Sequence, residues 1–312
     1  MRILVTGGLG HIGSFLIRNL SSEIAVEEII LIDSVLTQRF TSLFDLPKKP
    51  KIRFYEKNIR ELNRDLLAKV GKIDFVIHLA ALTDAMGTLN QRENLFNNNL
   101  ESTKNMIQIC GEETIPLVFP STTSVYGSQT KLVNEECKDL LPQSPYAECK
   151  LQEEKAIIEA TRLGLKATIL RLGTIHGTSP GMRFHTAVNK FCFQVATGRS
   201  ITVWKTALNQ KRPYLSLVDA NSAIAHVMSK SLFGGEVYNV LTNNYTVAEI
   251  INAIQNATTK KCLIEFVESR IMNQLSYEVS NAKFIKTGFN FKGNLESDIK
   301  DTMELLLGIQ SE

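Results

Sequence analysis

The stretch Ile3-Leu4-Val5-Thr6-Gly7-Gly8-Leu9-Gly10-His11-Ile12-Gly13 decides the fold. A short apolar run, Ile3–Thr6, leads into glycines spaced G-x-x-G-x-x-G, and an amphipathic stretch from His11 to Leu20 follows. Strand, glycine turn and helix in that order form a dinucleotide-binding fingerprint. Glycine permits the tight turn and lets the backbone approach a pyrophosphate closely. The helix start then offers unpaired N–H groups and a positive dipole end to the phosphates. The next apolar run, Glu28–Ile32, ends on Asp33. A carboxylate ~20 residues beyond the motif accepts hydrogen bonds from the adenosine ribose and repels a 2′-phosphate. The reading is NAD; Arg39, close by in sequence, leaves NADP open.

Outward from this turn, strand and helix signals alternate. Ile52–Glu56, Phe75–Leu79, Pro116–Pro120 and Lys166–Leu172 read as strands. Leu62–Val70, Leu95–Gly111 and Tyr146–Leu163 read as helices. Nearly continuous apolar strands separated by helices predict a parallel sheet covered on both faces. The order predicts an α/β, doubly wound (Rossmann) domain.

After Gly173 the pattern changes, and Gly, Thr, Ser and Pro cluster over Gly173–Arg183. A helix is expected near His185–Thr197, a strand over Ser200–Trp204 and a helix over Ala220–Ser231. Glu236–Val240 reads as a strand returning to the main sheet, and Thr246–Asn256 as a helix capped by Thr246. The expected division is a cofactor domain, 1–172 with the strand near 236–240. A smaller, interleaved α/β substrate domain takes 173–235 and 241–312.

Composition excludes several functional classes. Basic and acidic residues number 35 and 32, a net charge of only +3 without long like-charge runs, which gives nucleic-acid or membrane-surface binding no support. Five cysteines, none at CxxC spacing, argue against a metal site and for free thiols in a reducing cytoplasm. No run approaches the ~18 apolar residues of a membrane span, and Arg2–Thr6 is too short for a secretory leader.

A second motif is Tyr146-Ala147-Glu148-Cys149-Lys150. Residues four apart share a helix face. A lysine ammonium beside a phenol is expected to lower the phenol pKa from ~10 toward neutrality. Such a tyrosine can exchange a proton with a sugar hydroxyl while hydride moves to or from nicotinamide. The third element is Pro120-Ser121-Thr122-Thr123-Ser124-Val125-Tyr126-Gly127, just beyond the fifth strand, where ligands of open α/β sheets bind.

Together these motifs resemble the extended short-chain dehydrogenase/reductase family, specifically its nucleotide-sugar epimerase and dehydratase group. The resemblance implies a catalytic trio of Thr122, Tyr146 and Lys150. It implies cofactor contacts from Gly7, Gly10, His11, Ile12, Gly13, Asp33, Asn58, Ile59, Leu79, Ala80, Ala81, Asn99, Tyr146 and Lys150. Substrate contacts are expected from Thr83, Thr122, Thr123, Thr174, Arg212 and Arg270, the two arginines holding a nucleotide diphosphate. The chain departs from the group on the substrate side: Thr174 stands for a common Asn, His176 for Tyr, Pro213 and Asn273 for Asp. Dehydratases of the group resemble one another in a Thr-Asp-Glu signature; here the residues are Thr122-Thr123-Ser124, so water elimination is not expected.

The implied function is NAD-dependent epimerisation at C4 of a nucleotide-diphosphate sugar by a homodimer. Alternatives are a 4-ketoreductase or decarboxylase, a small amino-alcohol dehydrogenase, and a non-enzymatic NAD sensor. His78 is expected to be a satisfied core histidine. Arg183 and His185 enter the substrate region and are weighed equally as solvated loop residues.

Overall fold

The fold is known from a computed structural model that describes residues 1–83, 92–267, 277–306 and 308–309. In chain order the elements are β1 (Arg2–Thr6), α1 (His11–Glu23), β2 (Glu28–Asp33), β3 (Lys51–Glu56), α2 (Arg64–Val70), β4 (Phe75–His78), α3 (Arg92–Glu112), β5 (Leu117–Thr122), α4 (Pro145–Arg162) and β6 (Ala167–Leu172). There follow β7 (Thr174–His176), α5 (Ala187–Ala196), β8 (Ile201–Trp204), β9 (Lys211–Ser216), α6 (Leu217–Ser229), β10 (Gly234–Val240) and β11 (Asn243–Thr246). The last described elements are α7 (Val247–Asn256), β12 (Ile264–Val267), α8 (Ala282–Ile285) and α9 (Leu295–Leu305).

The central sheet has seven strands in the order β10-β6-β5-β4-β1-β2-β3, every neighbouring pair parallel. Strand order reverses direction between β1 and β4, and a ligand crevice opens at such a switch point, beyond the carboxyl ends of the strands. Both faces are apolar and covered. Residues such as Ile3, Val5, Ile29 and Leu31 face a core shared with α1 and α6; Leu4, Ile30, Val76 and Phe119 face the opposite core, closed by α2, α3 and α4. That two-sided burial is why the strands lack polar alternation.

Glu236–Val240 returns as part of β10, pairing parallel to β6 with Val237 opposite Ile169. The remaining strands form a three-stranded sheet, β11-β9-β7, and a two-stranded one, β12-β8. A third core gathers there from α5, α7, α9 and β8. α7 starts with a reciprocal capping box: the Thr246 hydroxyl accepts from the Glu249 N–H at 3.1 Å, and the Glu249 carboxylate accepts from the Thr246 N–H at 2.7 Å. β7, β9 and α9 were not foreseen in the sequence. The three-residue β7 follows Gly173, and β9 carries Pro213, so neither shows a continuous strand signal.

Candidate active site

A cleft opens at the switch point. The glycine turn lies on its floor, Asp33, Asn58 and Ile59 line one end, and Thr122, Tyr146 and Thr174 line the other. The turn is shaped by close approach. Gly7 has φ +66°, and a Cβ there would sit 2.5 Å from the Ala80 backbone. A Cβ on Gly13 would sit 2.5 Å from Gly8 Cα, so this glycine lets α1 start directly against the turn. No side chain caps α1 at Gly10, and its first residues, His11, Ile12 and Gly13, line the cleft. Orphan helix N–H groups with no protein acceptor suit an anionic pyrophosphate.

Asp33 is fixed from both sides. One carboxylate oxygen accepts from the Leu9 N–H at 3.0 Å and the other from the Val35 N–H at 2.9 Å. Each oxygen keeps a lone pair for ribose hydroxyls. Arg39 also lines the cleft, but its guanidinium donates to the Gly181 carbonyl at 2.9 Å. Burial and the nearby Arg183 lower its pKa to about 10. The glycine turn, the uncapped helix and the held carboxylate together fit NAD, which would lie across the turn with its adenosine toward Asp33. Leu79, Ala80 and Ala81 line the same cleft.

A wall not read from the sequence closes over the turn. The segment 177–181 packs on α1: the His11 ring meets the Gly177 carbonyl at 2.8 Å, and Ser14 Oγ accepts from the Gly181 N–H at 2.9 Å. Burial depresses the His11 pKa to about 4, so the ring is neutral and its Nε2–H donates to Gly177. Further on, Arg183 donates to the Thr83 hydroxyl, and Arg183, His185 and Thr83 all line the cleft.

At the other end, α4 begins with Ser144 as N-cap, accepting from the Ala147 N–H at 3.2 Å, and Pro145 in its first turn. This start places Tyr146 at the cleft and Lys150 one turn deeper, where only 3% of the lysine is exposed. The ammonium lies 3.3 Å from Glu153 Oε2 and 4.3 Å from the centre of the Phe119 ring. Thr122 ends β5; its hydroxyl donates to Ser124 Oγ and accepts from the Ser124 N–H, both at 3.1 Å.

The expected lowering of the Tyr146 pKa does not appear. Burial raises it, Lys150 lowers it, Glu153 raises it again, and the phenol ends above its ordinary value. Burial likewise opposes the Lys150 charge, but Glu153 and Tyr146 outweigh it and hold the ammonium more firmly protonated than usual. The sequence showed the lysine but not the carboxylate beneath it, because Glu153 is one of many charged residues along that helix.

Several expected contacts fall elsewhere. Thr123 is 2% exposed and its hydroxyl donates to the Leu172 carbonyl at 3.3 Å, away from the cleft. Asn99 is fully buried and does not line the cleft; its amide pairs with the Leu82 N–H and carbonyl at 2.8 and 3.0 Å and so fixes the loop after β4. Arg212 lies on β9 opposite Tyr245, outside the cleft lining. Arg270 lies outside the described residues. His78 is buried and doubly partnered, by Thr6 at 2.7 Å and Thr103 at 3.3 Å.

The profile of the NAD dependent epimerase/dehydratase family matches residues 3–240, which hold the whole glycine turn, the trio and β10. The chain belongs to that family. A UDP-glucose 4-epimerase of Lacticaseibacillus casei is 28% identical over 281 residues, 83% of this chain and 82% of that protein. A dTDP-D-glucose 4,6-dehydratase of Mus musculus is 25% identical over 315 residues, 97% of this chain and 88% of that protein. The crystal structure of the Thermus thermophilus UDP-glucose 4-epimerase complex with NAD superposes with a TM-score of 0.84 at 25% identity, covering 99% of each chain. The protein is thus an NAD-dependent Rossmann-fold enzyme of the epimerase and dehydratase kind.

Proposed function

We propose that this family member is a 4-epimerase of a nucleoside diphosphate sugar of the UDP-glucose kind. One observation carries the choice. Asp33 is the only carboxylate among the described residues lining the cleft, and it lies at the adenosine end. Water elimination needs an acid at the sugar end. Where the dehydratase signature would place its acidic pair, this chain has Thr123, turned into the core, and Ser124, bonded to Thr122.

Bound NAD supplies the hydride acceptor and donor at C4. The chain supplies proton transfer and positioning. Tyr146 takes up the C4 hydroxyl proton and returns it, and Thr122 orients that hydroxyl. Lys150 holds positive charge behind the phenol. Thr83 and Thr174 face the sugar, with Arg212 and Arg270 proposed toward the diphosphate.

The domain division expected from the sequence is part of this reading, supported by the pairing of β10 with β6. So are a homodimeric state and a cytoplasmic location, the latter supported by five free cysteines. Among the described residues no helix is long and apolar enough to cross a membrane.

The test is proton NMR of UDP-galactose or UDP-glucose incubated with the purified protein. Inversion at C4 without added cofactor is expected. Net reduction of a 4-keto sugar, with consumption of added NADPH and no inversion, would replace the epimerase with a ketoreductase.

A further inference from the structure

A buried polar chain runs from the glycine turn to the catalytic helix, and Glu153 on α4 is its end. Glu153 is fully buried. Its Oε1 accepts from the Thr103 hydroxyl of α3 at 2.5 Å. Its Oε2 has no hydrogen-bond partner and makes only the 3.3 Å ion-pair contact with Lys150.

A neutral His78 sets the directions in this chain. Thr103 has one hydroxyl proton, and Glu153 takes it, so Thr103 Oγ1 accepts from His78 Nε2–H at 3.3 Å. His78 Nδ1 is then bare and accepts from the Thr6 hydroxyl at 2.7 Å. Thr6 Oγ1 in turn accepts from the Ala80 N–H at 3.3 Å, beside the backbone that Gly7 touches. Burial lowers the His78 pKa to about 3, which keeps the ring neutral.

We propose that Glu153 is the counter-ion of Lys150, offsetting the ammonium's pull on the Tyr146 phenol so that proton transfer is run by a Tyr146–Lys150–Glu153 triad instead of a tyrosine–lysine pair. Glu153 is a positioning residue here; it touches neither cofactor nor substrate. The proposal rests on the reading of Tyr146 as the proton-transfer group. The charged and titratable groups facing Tyr146 are Lys150, Glu153 and Cys149 from α4 and Arg183 from the segment before α5. Those facing Lys150 are Glu153, Tyr146 and Cys149 on its own helix, and His78 at the end of β4. Among the described residues Glu153 is the one carboxylate in the group. Its removal shifts the balance toward phenolate.

The experiment is an ultraviolet titration of tyrosinate in the protein as purified with its cofactor, each variant paired with its Tyr146→Phe counterpart so that the difference isolates Tyr146. Glu153→Gln is expected to bring phenolate formation down by about one pH unit, as loss of a charge at an effective dielectric of ~20 implies. Glu153→Asp, which keeps the charge, should return the curve toward wild type. Should Glu153→Gln fail to fold, Glu153→Met, which fills the same space without a charge, should shift the curve in the same direction. An unmoved or raised midpoint in the folded variant overturns the proposal. The underlying reading fails separately, by Tyr146→Phe retaining turnover.

Discussion

The two ends of the cleft are built from different materials. The cofactor end is backbone: a left-handed Gly7, a close-packed Gly13, an uncapped helix start, and Asp33 fixed by two backbone N–H groups. The chemical end is side chain: Thr122, Tyr146, Lys150 and the buried Glu153, drawn from β5 and from one face of α4. Backbone sites tolerate no added atom, whereas side-chain sites tolerate packing changes but depend on the charge beside them. A substitution at one end should therefore fail in a different way from one at the other.

The largest effect belongs to the chemical end. Tyr146→Phe should lower kcat by ~10³-fold, the usual scale for losing a general acid–base group, while NAD still co-purifies. Native mass spectrometry with a steady-state assay checks both halves. If the cofactor were lost along with turnover, the two ends would not be separable.

Gly7→Ala attacks the other end. The new methyl meets the Ala80 backbone at 2.5 Å in a conformation that L residues rarely adopt. A stability loss of ~1–3 kcal/mol and at least a tenfold weaker hold on NAD are expected, measured by thermal unfolding and by cofactor titration. Retention of full affinity would mean the pyrophosphate does not approach this turn.

The smallest effect is a pH dependence carried by one histidine at each end. His11 and His78 are held neutral, with pKa values near 4 and 3, whereas the unfolded chain takes up those protons near 6.5. Folded pKa values below unfolded ones mean that the unfolded state binds more protons as pH falls below 6.5, so stability falls. The loss continues to about pH 4 for His11 and about pH 3 for His78. Between pH 6.5 and 5, where carboxylates scarcely titrate, each contributes a slope that rises from ~0.7 toward ~1.4 kcal/mol per pH unit. Urea unfolding across that window should show a shallower slope for His11→Asn than for wild type. Equal slopes would place His11 in water instead of against Gly177.

Legibility in the sequence follows the same division. The glycine turn, Asp33 and the alternating strands of the central sheet were readable because each rests on local rules: glycine conformations, strand-end positions and two-sided burial. The Tyr146–Lys150 pair was readable from helical spacing. The 177–181 wall was not, because its meaning lies in contacts with α1 from more than a hundred residues away in sequence. Thr123 illustrates the opposite error. It stands in a familiar pattern, yet its side chain turns into the core.

Glu153 and Glu154 show the limit most plainly. They are adjacent, both buried, and indistinguishable as letters in a charged helix. Glu154 is gripped by Arg171 of β6 at 2.7 Å and by the Ser121 hydroxyl at 2.5 Å, a buried pair that ties α4 to the sheet. Glu153 faces Lys150 and Thr103 instead, and is the carboxylate proposed to balance the charge behind Tyr146. The sequence by itself determined the cofactor turn, the parallel sheet and the tyrosine–lysine face, since short-range backbone geometry and periodicity dictate them. Only the tertiary structure decided which way the Tyr146 pKa moves, because that depends on burial and on which of two neighbouring carboxylates a third element turns toward the lysine.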